Sequence, residues 1–164
     1  MATLTTGREA PVFELVGIDG NKYGLNHTLT RTPILLIFFK VSCPTCQFTL
    51  PFAERLYRQI RECGGQVWGI SQDNLEDSQR FAKRFELSFP ILVDEKPYLV
   101  SKQYNVKFVP TLFFIDKERA VRLSGDGFSK TDLLEIHRLF GRELAITLSP
   151  LFRTEEKIPE YKPG

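Results

Sequence analysis

Cysteine and histidine are scarce in this chain, with three of one and two of the other among 164 residues. Three thiols cannot make the paired framework of a small disulfide-stapled secreted domain. Zinc is equally poorly served. It needs four ligands, and Cys63, His27 and His137 stand at none of the usual paired spacings beside Cys43 and Cys46. Long apolar runs are missing too. The longest, Ile34–Phe39, falls far short of the roughly 20 residues that span a bilayer, and residues 1–8 hold no apolar core of signal-peptide length. A soluble, cytoplasmic protein is the expectation. Nor is charge of one sign in excess, since 22 Lys and Arg against 20 Asp and Glu leave +2. The basic residues are scattered, so no basic face recommends nucleic acid or a membrane surface. There are no internal repeats and no linker. The length fits one domain with a real core, here residues 1–147. A polar, Pro-punctuated tail, 148–164, is expected to be extended, packed on the surface or partly disordered.

What the chain does have is concentrated at one place. Six apolar residues, Ile34–Phe39, read as a strand buried on both faces, the kind found inside a parallel sheet. A short loop leads to Cys43-Pro44-Thr45-Cys46, followed by an amphipathic run over 47–61. Pro44 lacks an N–H and has its φ fixed, which suits the first position of that helix. Cys43 then falls at the N-cap, beside free backbone N–H groups and the positive end of the helix dipole, a setting that favours thiolate over thiol. Two cysteines so spaced at a strand-to-helix junction point to redox chemistry rather than to a structural pair or half a zinc site. In a reducing compartment such a disulfide would be transient and catalytic.

The rest alternates strands with helices. Val12 to Val16 and Lys22 to Leu25 read as the arms of a hairpin turned at Asp19-Gly20-Asn21, and 26–31 as a loop or single helical turn. The helix after Cys46 carries Phe48, Leu50, Phe52, Leu56, Tyr57 and Ile60 on an apolar stripe, with Pro51 inside it as a kink. Strands are expected at 67–70 and 89–93. A helix is expected over 74–86, with Leu75, Phe81, Ala82 and Phe85 inward, and a shorter one over 97–104. Leu112 to Ile115 and Ala120 to Leu123 form a hairpin around Asp116-Lys117-Glu118-Arg119, broken by Gly125 and Gly127. Ser129 caps a last helix over 130–140, with Leu133, Leu134, Ile136 and Leu139 or Phe140 inward. The pattern is that of an α/β protein with a central mixed sheet flanked by helices.

Gly7-x-x-Ala10-Pro11-x-Phe13-x-Leu15, the Asp19-Gly20 turn, the CPTC motif, Pro51 five residues after it and Val109-Pro110-Thr111 occur in an order that resembles the thioredoxin-fold redoxins. Within them the resemblance is to the TlpA/ResA-like thiol-disulfide oxidoreductases and the related peroxiredoxins, over residues 7–140. It implies a thioredoxin-like fold with an added N-terminal β-hairpin and a helix-strand insertion within 71–104. It also implies that Cys43 attacks and Cys46 resolves, and that Pro110 is cis, opening the backbone of Val109 to a substrate strand. Pro44, Thr45, Val109 and Pro110 would then border the substrate. Three departures concern proton handling and surroundings. Ser42 replaces the tryptophan usual in thioredoxins, Ile37 their buried acid, and Thr49 a glutamate found in ResA-like proteins.

The function expected is exchange or reduction of protein disulfides, with no cofactor and no metal. The partners expected are a protein disulfide substrate and an upstream thiol reductant, and the assembly a monomer or weak homodimer. A thiol peroxidase is the alternative. Its motif, counted back from Cys46, would need a threonine where Cys43 stands and a proline where Phe39 stands. A redox-inert binding module on the same fold is a third reading, against which the intact dithiol and Val109-Pro110 both argue. Lys40 is read as a solvated strand end that could also stabilise the thiolate. Cys63 is expected to be a small buried hydrophobe and Trp68 core, while Phe39 and Phe48 are candidates to line an apolar substrate groove.

Overall fold

The computed structural model describes residues 3–26 and 32–164. His27 and most of the 26–31 loop lie outside the described residues. Five strands form the central sheet in the order β5-β4-β3-β6-β7. At its middle is β3 (Ile34–Phe39), every residue of which is buried. Parallel to it runs β4 (Gln66–Ser71), which pairs in turn with parallel β5 (Ile91–Val93). On the other side β6 (Thr111–Ile115) and β7 (Val121–Asp126) are antiparallel. A separate hairpin, β1 (Phe13–Val16) and β2 (Lys22–Leu25), precedes the sheet.

Because side chains alternate along a strand, β3 feeds two cores. Leu35, Ile37 and Phe39 pack with α1 (Pro44–Ile60), α2 (Leu75–Arg84) and α4 (Lys130–Leu144). Ile34, Leu36 and Phe38 face Ala10, Phe13 and Leu25 of the N-terminal segment, and Val100 and Tyr104 in and after α3 (Leu99–Gln103). A run apolar at every position is what a strand covered on both faces requires. Trp68 belongs to the second core, 3% exposed, as its strand position suggested.

Several helix ends follow local chemistry. The Asn74 side chain accepts from the Asp77 N–H at the start of α2, and Ser129 accepts from the Asp132 N–H at the start of α4. α1 runs on through Pro51. Four expectations are corrected. Leu75 is 47% exposed, because the buried face of α2 is Ser78, Phe81 and Ala82. Leu134 is 44% exposed, since α4 buries Leu133, Ile136 and Phe140, and one residue further along is about 100° around the helix. Cys63 is exposed, because α1 gives way to a 3₁₀ turn (Arg61–Cys63) that buries none of its residues. Finally, β7 continues through Gly125, paired with Leu112, to Asp126.

The segment 148–164 folds back along α1. Leu151 is buried in the core between α1 and α4, and Phe152 meets Phe52 edge-on at 5.1 Å between centroids. Arg55 clasps Glu156 through two hydrogen bonds of 2.6 and 2.7 Å and also donates to the Leu151 carbonyl. The last residues form β9 (Tyr161–Lys162), antiparallel to β8 (Phe128–Ser129).

Candidate active site

β3 ends at Phe39, and the chain turns through Lys40, Val41 and Ser42 into Cys43, the N-cap of α1. Two side chains hold this turn. The Asp73 carboxylate accepts the Val41 N–H at 2.7 Å, and the Gln47 amide donates to the Val41 carbonyl at 2.9 Å. Asp73 arrives because β4 runs parallel to β3 in a register that sets Ser71 beside Phe39. Nothing near the cysteines in sequence announces it. Residues 32 positions apart meet only once the sheet is formed.

The two thiols differ sharply in surroundings. Half-buried Cys43 receives the Cys46 N–H on its sulfur at 3.0 Å, the bond a helix N-terminus offers its cap. On its far side the Cys43 thiol donates to the Val109 carbonyl at 3.5 Å. Cys46, in the first turn of α1, is fully buried. Burial pushes its thiol well above the usual range, and the hydrogen bond with Cys43 pushes it further. The Val109–Pro110 peptide is cis and faces the cysteines. Ile37 is buried in the position matched to an acid. Thr49, also buried, donates to the Thr45 carbonyl within the helix at 2.7 Å. Among the described residues no group of three or more His, Cys, Asp and Glu side chains could hold a metal ion. His137 is far along the chain on α4, bonded through Nε2 to the Ser149 carbonyl.

The tail reaches this site, which its composition gave no hint of. The Thr45 hydroxyl donates to the Pro163 carbonyl at 2.6 Å, and Thr45 is only 8% exposed as a result. Gly164 lies against the Val109–Pro110 peptide so closely that a Cβ there would collide with the Val109 oxygen. The Lys162 ammonium sits 4.4 Å over the Phe48 ring. Thus Thr45, Val109 and Pro110 do come together around Cys43, but the position expected for a substrate strand is held by the chain's own residues 163–164. Phe48 is covered in the same way. Phe39 lines no groove at all. It is fully buried on Phe81, its ring edge 3.1 Å from where a Cβ of Gly69 would stand, so the glycine leaves room for it.

One cavity borders the dithiol and a second lies away from it. The one beside Cys43 has a volume of about 520 Å³ and includes Lys40, Tyr98, Phe108 and Val109 in its walls. Another, of about 690 Å³, lies between the N-terminal hairpin and α2, where Leu75, Val16 and Ile18 line it, and it contains neither cysteine.

A dithiol at the N-terminus of a helix, following the central strand and facing a cis-proline, is the site of a thioredoxin-fold redoxin. Residues 6–124 match the AhpC/TSA family, to which the chain belongs. Its curated relatives include a thiol-disulfide oxidoreductase ResA of Bacillus cereus, 30% identical over 116 residues, which are 70% of this chain and 66% of that protein. ResA of Geobacillus kaustophilus is 28% identical over 135 residues, covering 82% of this chain and 76% of the relative. The chain therefore spans about two thirds of the length of the ResA proteins it matches. Among solved structures, a thiol:disulfide interchange protein of the thioredoxin family from Chlorobium tepidum TLS superposes with a TM-score of 0.70 at 22% identity, over 87% of this chain and 99% of that one. Peroxidoxin BcpB from Mycobacterium tuberculosis gives 0.71 at 24% identity, over 85% and 97%. At those identities they show the fold, which is thioredoxin-like as the motifs implied.

Proposed function

We propose that this protein is a thiol-disulfide oxidoreductase that reduces disulfides in partner proteins through Cys43 and Cys46. The observation that carries the reading is the asymmetry of the pair. One sulfur is reachable and held by a helix N–H, while the other is buried directly behind it with its proton tightly kept. In the first step Cys43, as thiolate, attacks one sulfur of the substrate disulfide. The Cys43–substrate bond forms, the substrate S–S bond breaks, and the second substrate sulfur leaves as a thiolate. Cys46 then attacks the Cys43 sulfur, closing the Cys43–Cys46 disulfide and releasing the first substrate sulfur. The Cys46 proton and the proton Cys43 released to solvent on ionising are the equivalent of the two that end on the substrate thiols, and two electrons pass from the protein dithiol to the substrate.

The burial of Cys46 gives these steps an order. While Cys43 is free, its sulfur helps to hold the Cys46 proton. Once Cys43 is tied up in the mixed disulfide that contribution disappears, and the buried thiol is the nearest nucleophile. Pro44 and Thr45 fix the helix start on which Cys43 sits, and Val109 and Pro110 form the wall opposite. An upstream thiol donor would return the oxidised pair to the dithiol. Reduction as the direction of work goes with the cytoplasmic setting expected from the sequence, and a monomer or weak homodimer suffices for it.

The test sets reduced protein against equimolar hydrogen peroxide and, separately, against a protein disulfide, following closure of the Cys43–Cys46 bond, with Cys46→Ser as control. Oxidation by the disulfide should be rapid and oxidation by peroxide no faster than that of a free small-molecule thiol. Peroxide consumption hundreds of times faster, abolished in Cys46→Ser, would make the protein a peroxidase instead.

A further inference from the structure

With Thr45 under Pro163 and the Val109 carbonyl against Gly164, the Thr45 side of the motif is closed. Cys43 opens instead onto the 520 Å³ groove, one wall of which is Gly164 itself. Lys40, Lys102 and Lys107 line that groove together with Tyr98 and Phe108, and no Asp or Glu does. None of the three ammonium groups has an ion-pair partner among the described residues. The Lys40 ammonium rests 5.8 Å over the Tyr98 ring. Asp73 and Glu95 line a different cleft that shares Gln72 and Tyr98 with the groove, and the buried Asp94 carboxylate accepts from Ser101. The side chain of Phe108 stands 62% exposed at the rim.

From this we infer that the substrate disulfide of this enzyme is presented on an acidic polypeptide segment, with carboxylates beside the cystine seated among Lys40, Lys102 and Lys107. The inference rests on the oxidoreductase reading above. Its physical basis is that a groove whose charged side chains are all cationic and whose walls are partly apolar concentrates ligands of the opposite sign and raises their association rate. The charges share the groove with the attacking sulfur, so they also act on the encounter that precedes S–S cleavage. A polypeptide fits better than a small disulfide because Phe108 and Tyr98 add apolar contact surface around the cationic floor. The reaction itself is the two-step exchange already written, in which the protein dithiol is oxidised and the acidic cystine is reduced to two thiols.

Three synthetic peptides with the same intrachain cystine, flanked by Glu, Gln or Lys, test this with the reduced full chain. The second-order rate of oxidation should rank Glu above Gln above Lys, spanning about tenfold or more at low ionic strength and contracting several-fold near 0.5 M salt, where the Debye length falls to roughly 4 Å. The double variant Lys102→Glu/Lys107→Glu should reverse the ranking. Both residues are exposed, and the thermal midpoint of the variant checks that its fold persists. Equal rates for all three peptides, or a ranking that the double variant leaves in place, would overturn the inference while leaving the oxidoreductase intact. Glutathione disulfide reduced as fast as the Glu peptide would overturn the assignment to a polypeptide. Failure to reduce any of the peptides faster than a free thiol does would remove the oxidoreductase reading and the inference with it.

Discussion

Leu151 offers the most direct check on whether the segment after α4 belongs to the folded unit. In Leu151→Ala the change removes three methylene-equivalent carbons from a side chain that is 2% exposed and packed in the core between α1 and α4. Buried Leu-to-Ala substitutions cost about 2–5 kcal/mol, the spread reflecting how far the surroundings can collapse. Leu151 stands on a peripheral segment rather than on the central sheet, which places the cost near the lower end, at about 2–3 kcal/mol. Unfolding entropy of roughly 2.1 cal/mol/K per residue over a chain of this length amounts to about 0.34 kcal/mol/K, so the midpoint should fall by about 6–9 °C. Differential scanning calorimetry on wild type, Leu151→Ala and Leu134→Ala measures it. The last, at a leucine 44% exposed on α4, should move the midpoint by less than about 2 °C, as surface substitutions do. A Leu151→Ala midpoint within 1–2 °C of wild type (roughly the scale of a surface change) would show that the tail is not part of the cooperative core.

Other consequences can be measured on the same protein. In the reduced native state, iodoacetamide should label exposed Cys63 and half-buried Cys43, and should label buried Cys46 only after unfolding, as read by peptide mass mapping. Native labelling of Cys46 at a rate comparable to Cys43 would contradict its burial and its raised pKa. Asp73→Ala removes the acceptor of the Val41 N–H and should cost about 1–3 kcal/mol, the range for leaving a buried donor without its partner, while slowing disulfide reduction. Asp73→Asn, which keeps an acceptor, should recover most of the stability. Glu156 is held at about 2 by hydrogen bonds from Arg55 and the Arg153 N–H, against 4.5 ordinarily. Its folded form therefore binds fewer protons than the unfolded chain between those values. The stabilisation it lends is complete above about 4.5 and is lost as the pH falls toward 2. Glu156→Gln should flatten the pH dependence of stability in that window, and an unchanged slope would refute the assignment.

How much was readable in advance varies with the range of the interactions. Ile34–Phe39 is apolar at every position and is buried at every position, because a strand covered on both faces leaves a pattern with no polar interruptions. Cys43 at the N-cap and Ser129 at the start of α4 follow from local backbone chemistry and were legible. Helix faces were less so. Leu75 and Leu134 are apolar at plausible spacing, yet which leucine turns inward depends on where the helix axis lies over the sheet. Phe39 was legible as strand but not as core under α2, a placement that needs Gly69 of a neighbouring strand. The parts of the site that escaped the sequence are all long-range. Asp73 comes from the loop that follows the next parallel strand. Residues 163–164 cross more than a hundred positions to reach Thr45. A polar segment with three prolines looks like a tail until its partners are placed around it.

The central claim is that Cys43 is the attacking sulfur and Cys46 the resolving one. Trapping tests it most directly, in a Cys63→Ser background that removes the exposed third thiol. Reduced Cys46→Ser, mixed with a disulfide-containing protein, should accumulate a covalent adduct through Cys43, cleared by added dithiol and absent in Cys43→Ser. Adducts that form in Cys43→Ser while Cys46 is intact, or that fail to form in Cys46→Ser, would contradict the account.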